Sequence, residues 1–224
     1  IYRKDDYMFE KYIDDIKDEI VSQVSRLIQI PSIDNESIDK AKPFGENANR
    51  ALEYVLSLGE DLGFRTKNID GYCGYIEFGE GNDLVGIIGH LDVVPVNDGW
   101  TYEPFAGTIR NGNLFGRGAI DDKGPVIASL YAMKAVMDTC KIKKRVRLIL
   151  GLNEEKDWKC IEYYKNHENE TNISLLLSEP PLIVKRTFTC PVCRTVFTKN
   201  VGIRNIQRVG SVCPGAIPMG IYPV

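Results

Sequence analysis

The stretch LVGIIGHLD, residues 84–92, joins an apolar strand to a polar end. Leu84 to Ile88 is short and nearly continuously apolar, the pattern of a central strand buried on both faces. It runs directly into Gly89, His90, Leu91 and Asp92. Side chains two apart in a strand share a face, so His90 and Asp92 point into one cleft while Leu91 packs the other way. Imidazole is a good zinc ligand, and a carboxylate behind it fixes the tautomer and raises its basicity. A hydrogen-bonded core histidine beside a helix cap accounts for the same residues without a metal.

Outward from this strand, apolar residues alternate between two periods. Ile13, Ile16, Ile20, Val24, Leu27 and Ile28 form one stripe at helical spacing over residues 10–29, and Pro31 ends it. Ala48, Ala51, Leu52, Val55, Leu56 and Leu58 predict a second helix over 46–62, with Gly63 as its stop. Strands are expected at 72–78, 146–152 and 173–177, and a hairpin over 107–116 with Asn111-Gly112-Asn113 as its turn. Further helices are expected over 124–138 and 158–167. Helices alternating with apolar strands predict an α/β fold: a mixed, mostly parallel sheet flanked by helices.

Two more polar signals sit at element ends. In GRGAIDDKGP, residues 116–125, Asp121 and Asp122 precede a helix. One of them can cap that helix. A carboxylate shared between two metals explains the other. The spacing is not that of a phosphate-binding glycine loop. Asn153, Glu154 and Glu155 directly follow the strand at 146–152. One acid can bind metal while its neighbour takes a proton from a metal-activated water. A solvated acidic turn is the plainer reading. Recurrence at successive strand ends favours the chemical one, because open α/β sheets place ligands beyond the carboxyl ends of their strands.

These motifs, in this order, resemble the zinc-dependent M20 metallopeptidases. The resemblance is carried by GHLDVVP (89–95), Asp98-Gly99-Trp100, Pro104-Phe105, GRG (116–118), DDKGP (121–125) and Gly151 to Glu155 with Trp158. It is nearest to the dipeptidase V-like, or Xaa-His dipeptidase-like, branch and covers roughly residues 10–170. It implies the zinc-peptidase catalytic fold, incomplete here, and two Zn2+ per intact site, other divalent metals being possible. By the same resemblance His90 ligates one zinc and Asp92 orients it. Asp121 bridges the pair, and the peptide bond between Asp121 and Asp122 is cis. Glu154 is the general base, and Glu155 ligates the other zinc. A small peptide is the implied substrate. An N-acyl-amino-acid deacylase or desuccinylase of the same fold is the alternative. Asn97 stands where this branch more often has glycine.

The resemblance stops near Thr171. The expected next ligand, an aspartate, falls near Ser178, followed by Glu179. A lid domain and a late histidine ligand are also expected and do not follow. The charge changes at the same point. Residues 1–179 carry a net −9, whereas 180–224 carry +6 with no acid and six of the 11 prolines. The expectation is that 1–179 is the N-terminal part of a catalytic domain. Residues 180–224 would be an anomalous basic tail without its own core, produced by an altered reading frame or by authentic divergence. An impaired fragment is therefore expected. Cys190 and Cys193, with Cys213, resemble part of a zinc knuckle, so a non-enzymatic zinc-binding or interaction protein is the rival from another class.

Composition excludes other classes. A net charge of −3 offers no basic footprint for nucleic acid. No apolar run reaches the roughly 18 residues of a membrane span, and the charged start without an apolar core leads to no expectation of a signal peptide, while Ile1 in place of Met is expected of a trimmed or incomplete start. Six irregularly spaced cysteines suit a reducing cytoplasm. Cys73, Cys140 and Cys160 are expected to be buried or partly buried and His167 exposed. Trp100 and Trp158 are expected at a cleft rim or in ordinary packing. The basic run Lys141–Arg147 is expected to be a solvated edge.

Overall fold

The computed structural model describes residues 4–35, 37–168, 170, 173–177, 183–189 and 196–202. Contacts divide the chain into two units, residues 1–179 and 180–224. In the first, the described elements are α1 (Lys4–Ile28), α2 (Glu46–Asp61), β1 (Arg65–Ile69), β2 (Cys73–Phe78), β3 (Leu84–His90), β4 (Thr108–Arg110), β5 (Asn113–Phe115), α3 (Lys123–Thr139), β6 (Arg145–Gly151), α4 (Lys159–His167) and β7 (Ile173–Leu177). The second contains a hairpin of β8 (Ile183–Thr189) and β9 (Val196–Gly202).

Five strands form one sheet in the order β1-β2-β6-β3-β7. β3 pairs in parallel with β6 and β7, while β2 runs antiparallel to both its neighbours. Four strands thus point one way and β2 opposes them, the mixed α/β sheet expected from the alternation of helical and strand patterns. Helices cover both faces. Residues paired across strands share a face. Ile76, paired with Leu148, meets Gly59 of α2, while Arg147, paired with Glu77, meets Tyr164 of α4. α2 and α4 therefore lie on opposite sides. Between these layers Leu27, Leu52, Ile76, Ile127, Leu130 and Leu148 are wholly buried. Each such side chain stabilises the fold by roughly 1.5–3 kcal/mol.

α1 uses its expected stripe, from partly buried Ile16 and Ile20 to buried Val24, Leu27 and Ile28, and extends back to Lys4. Asn111 and Gly112, both at positive φ, close the β4–β5 turn.

Three expectations need correction. β1, with the sequence RTKNI, carried no apolar alternation. It is an edge strand, polar because it pairs with β2 alone and faces solvent over most of its length. β8 was also missed. Its sequence, Ile183–Thr189, falls between Pro181 and Pro191 and contains no proline. Of the two strands that the apolar runs of the tail also allow, Val196–Val201 falls in β9 and Ile203–Val209 lies outside the described residues. Finally, the basic run ending at Arg147 is not all solvated edge. Arg147 is buried, its guanidinium stacked 3.8 Å from the Tyr75 ring centre. Its neighbours there are carboxylates that the sequence places 70 residues before and 21 to 23 after it.

Candidate metal centre

β3 and β6 end side by side, His90 pairing with Gly151. The chain after each strand therefore leaves the sheet at the same place. His90 is 1% and Asp92 0% exposed. His90 Nε2 lies 3.1 Å from Asp121 Oδ1 and 3.8 Å from Glu154 Oε2. One donor atom from each of His90, Asp121 and Glu155 fits within 4.8 Å of the others, the one such group among the described residues. The three expected ligands and Glu154 thus converge, although they come from three separate segments.

Asp92 does two things. Its backbone oxygen is 3.0 Å and its carboxylate 3.3 Å from His90 Nδ1, which leaves Nε2 to face the cluster. The same carboxylate accepts the backbone N–H of Glu154 at 3.1 Å and of Glu155 at 3.0 Å. One buried side chain therefore orients the imidazole and ties down the acidic loop.

The Asp121–Asp122 peptide is cis, as the resemblance implied. Asp122 stands at the N-cap of α3, but its side chain makes no capping bond there. Instead its carboxylate accepts the backbone N–H of His90 at 3.1 Å, so the capping expectation for Asp122 is replaced by a link between two segments of the site. Glycine is required on both sides. Gly118 has φ +87°, and a Cβ at Gly124 would stand 2.1 Å from the Ala119 carbonyl oxygen.

Lys123, which the sequence marks only as part of DDKGP, is wholly buried. Its Nζ donates to the carbonyl oxygens of Leu27, at 3.1 Å, and Ile30, at 2.6 Å, at the end of α1. Burial pulls its pKa down to about 7, opposed by the charge of Asp92. Lys123→Met keeps the packing stem but orphans two buried carbonyls. It is expected to cost about 1–3 kcal/mol, read as a lower urea midpoint.

The electrostatics ask for a cation. Burial pulls His90 down, but hydrogen bonds to Asp121 and Asp92 and the charges of Asp92 and Asp122 outweigh it and hold the imidazole up at about 12. Burial lifts Glu155 to about 7, and Asp121, Glu154 and Asp92 push the same way against the pull of His90. Both shifts record excess negative charge in a half-buried space. A divalent ion would neutralise it, and an imidazole with two carboxylates is a donor set that zinc accepts. The residues present therefore fit such an ion.

Trp158 packs beside His90 and Glu154 and is 36% exposed. Trp100 packs instead under the Arg117 guanidinium, 5.2 Å from it. His167 is exposed and stacks on Tyr163. Cys73 and Cys160 are buried and Cys140 is partly so, all three free. Ser178, Glu179 and the three tail cysteines lie outside the described residues.

Residues 86–211 match the description Peptidase family M20/M25/M40. The chain is 49% identical over 154 residues to a Bacillus subtilis (strain 168) protein named "Putative dipeptidase YtjP", covering 68% of this chain and 33% of that protein. Among solved structures it resembles human carnosine dipeptidase 1, with a TM-score of 0.68 and 25% identity, over 82% of this chain and 43% of the other. It also resembles an M20 family metallo-carboxypeptidase, Sso-CP2 from Sulfolobus solfataricus, with a TM-score of 0.59 and 25% identity, over 73% and 38%. The chain spans about a third of the length of the curated relatives it matches.

Proposed function

The chain belongs to peptidase family M20/M25/M40, and from that premise we propose that residues 1–179 are the N-terminal part of the catalytic domain of a metal-dependent dipeptidase. The observation that carries this reading is the convergence of His90, Asp121 and Glu155 within 4.8 Å, with Glu154 beside them. In this chain His90, Asp121 and Glu155 would together hold one zinc; in an intact site with two, Asp121 would be shared between an ion on His90 and one on Glu155. A bound zinc supplies Lewis-acid polarisation of the peptide carbonyl and acidifies water.

The protein's own residues do the rest. Glu154 Oε2, beside His90 Nε2, takes the proton of the attacking water and passes it to the leaving amine. Asp92 holds Glu154 and Glu155 by their backbone N–H groups, so both carboxylates approach from a fixed loop. The described residues supply one ligand group, so we expect this chain by itself to retain metal weakly and to turn over dipeptides slowly, as an impaired fragment would. The substrate is a small peptide. No helix among the described residues is long and apolar enough to cross a membrane. The three free cysteines favour a reducing, cytoplasmic setting.

Zinc content of the purified chain, measured with hydrolysis of a dipeptide panel and an N-acyl-amino-acid panel, tests the proposal. Weakly held zinc with slow cleavage of dipeptides alone supports it. Two tightly held ions with brisk turnover would reject the impairment, and cleavage of the acylated panel would reassign the substrate.

Loading also moves protons. At pH 7 the His90 imidazole is protonated and Glu155 is near its midpoint, so a bound ion must displace both. Uptake is expected to release about one to two protons per ion, and affinity should rise as pH rises. Calorimetry in buffers of different ionisation enthalpy measures this directly. Uptake without proton release would contradict the assignment of His90.

A further inference from the structure

The acidic loop after β6 is closed by one residue. Asn153 is wholly buried, its carbonyl accepts the Trp158 N–H at 3.0 Å, and its Oδ1 accepts the Lys159 N–H at 3.1 Å. Both ends of the segment holding Glu154 and Glu155 are thus pinned through Asn153. The amide nitrogen of Asn153 then donates to Asp34 Oδ2 at 2.6 Å, across 119 residues of sequence. Asp34 is itself anchored. Ser32 Oγ donates to the Leu91 carbonyl at 2.5 Å, the Val93 N–H donates to the Ser32 carbonyl at 3.1 Å, and Ile33 bridges Val93. The segment before α2 therefore runs alongside the same turn that carries Asp92. Lys156, one residue past Glu155, binds Asp34 at both its carboxylate and its carbonyl, each at 3.2 Å. The Asp34 side chain is 3% exposed, and its Oδ1 meets no hydrogen-bond partner among the described residues. Burying a carboxylate with one oxygen unmatched is costly.

We propose that Asp34 is a positioning residue: with Asn153 it forms a clasp that fixes the loop carrying Glu154 and Glu155 against the end of β3. The consequence for metal rests on the function proposed above. The consequence for the loop does not. Asp34 touches neither the ligand group nor a reacting atom and acts through the backbone on which Glu155 is mounted. Outer partners of this kind govern metal affinity because they set where a ligand can sit.

The full chain, carrying Trp100→Phe so that Trp158 is its only tryptophan, provides two readouts. Acrylamide quenching of Trp158 reports loop closure without metal. Co2+ affinity and its visible absorption spectrum report the ligand geometry. Asn153→Asp sets two carboxylates against each other, and it is expected to raise quenching and weaken Co2+ binding by about 10–100-fold. The swap Asp34→Asn with Asn153→Asp restores one donor opposite one acceptor, and Lys156 keeps the residue 34 carbonyl. It should return both quenching and Co2+ spectrum to those of the unswapped chain. If Asn153→Asp does not fold, Asp34→Ala, which removes the acceptor without adding charge, takes its place against the same swap. Unchanged quenching in the single variant, or a folded swap that fails to restore it, overturns the clasp. A chain that binds no Co2+ before substitution overturns the metal reading alone, and Trp158 quenching still decides the clasp.

Discussion

His90→Ala is expected to abolish measurable Zn2+ binding while leaving the chain folded. His90 is the one nitrogen donor in the group, and it stands at the junction of every other part of the site. Its Nε2 faces Asp121 and Glu154, its Nδ1 faces Asp92, and its backbone N–H is held by Asp122. Removing the ring leaves Asp121 and Glu155 to hold an ion with two carboxylates, a set better suited to harder cations than zinc. The loss should exceed the about 100-fold that an outer partner costs when removed. The backbone bond to Asp122 survives the substitution, so the strand end should keep its course. Equilibrium dialysis against Zn2+, with circular dichroism of the same sample, checks both halves. Zinc held as tightly by His90→Ala as by the parent would remove the ion from this site.

Arg147→Ala is expected to be the most destabilising substitution of a polar residue in the sheet, at about 3–5 kcal/mol. Its guanidinium donates to Glu77 at 2.7 Å, Tyr164 at 2.8 Å, Glu170 at 3.0 Å and Glu168 at 3.3 Å, and its face covers Tyr75. Glu77 is also buried. Without Arg147 it keeps Arg65 at 3.1 Å and Arg145 at 3.4 Å, longer contacts made from nearer the surface. The large effect comes from leaving a buried carboxylate poorly matched, not from the worth of the pair itself. Urea unfolding monitored by tryptophan fluorescence gives the number, and a change below about 1 kcal/mol would show that water relieves the carboxylates. The network also has a pH sign. The Arg145 hydrogen bond holds Glu170 below the usual glutamate range, so its contribution is present at neutral pH and lost as pH falls through that lowered value.

Legibility differed by element for physical reasons. β3 could be read from sequence because burial on both faces demands continuous apolar residues, β6 because its second half, Leu148–Leu150, does the same, and α2 because one buried face leaves a helical period. β1 could not, since an edge strand is held by backbone pairing with β2 and needs no apolar signature. Arg147 looked like the end of a solvated basic run because its partners Glu77, Glu168 and Glu170 lie far from it in sequence. The ligands were legible as types, since His90, Asp121 and Glu155 each sit where an element ends. Asp34 carried no signal at all. It follows an ordinary helix stop, and only its meeting with Asn153 gives it work.

The sequence by itself determined the α/β alternation, the residue types of the metal group and the resemblance that orders them. These depend on local periodicity and on chemistry that a side chain carries with it. Tertiary structure alone decided that β3 and β6 end together, that Asp92 ties the imidazole to the acidic loop, and that Lys123 closes the end of α1. Those facts depend on strand order and register, which bring together groups 30 to 120 positions apart. No local pattern records such pairings, because each partner would look the same beside any other neighbour.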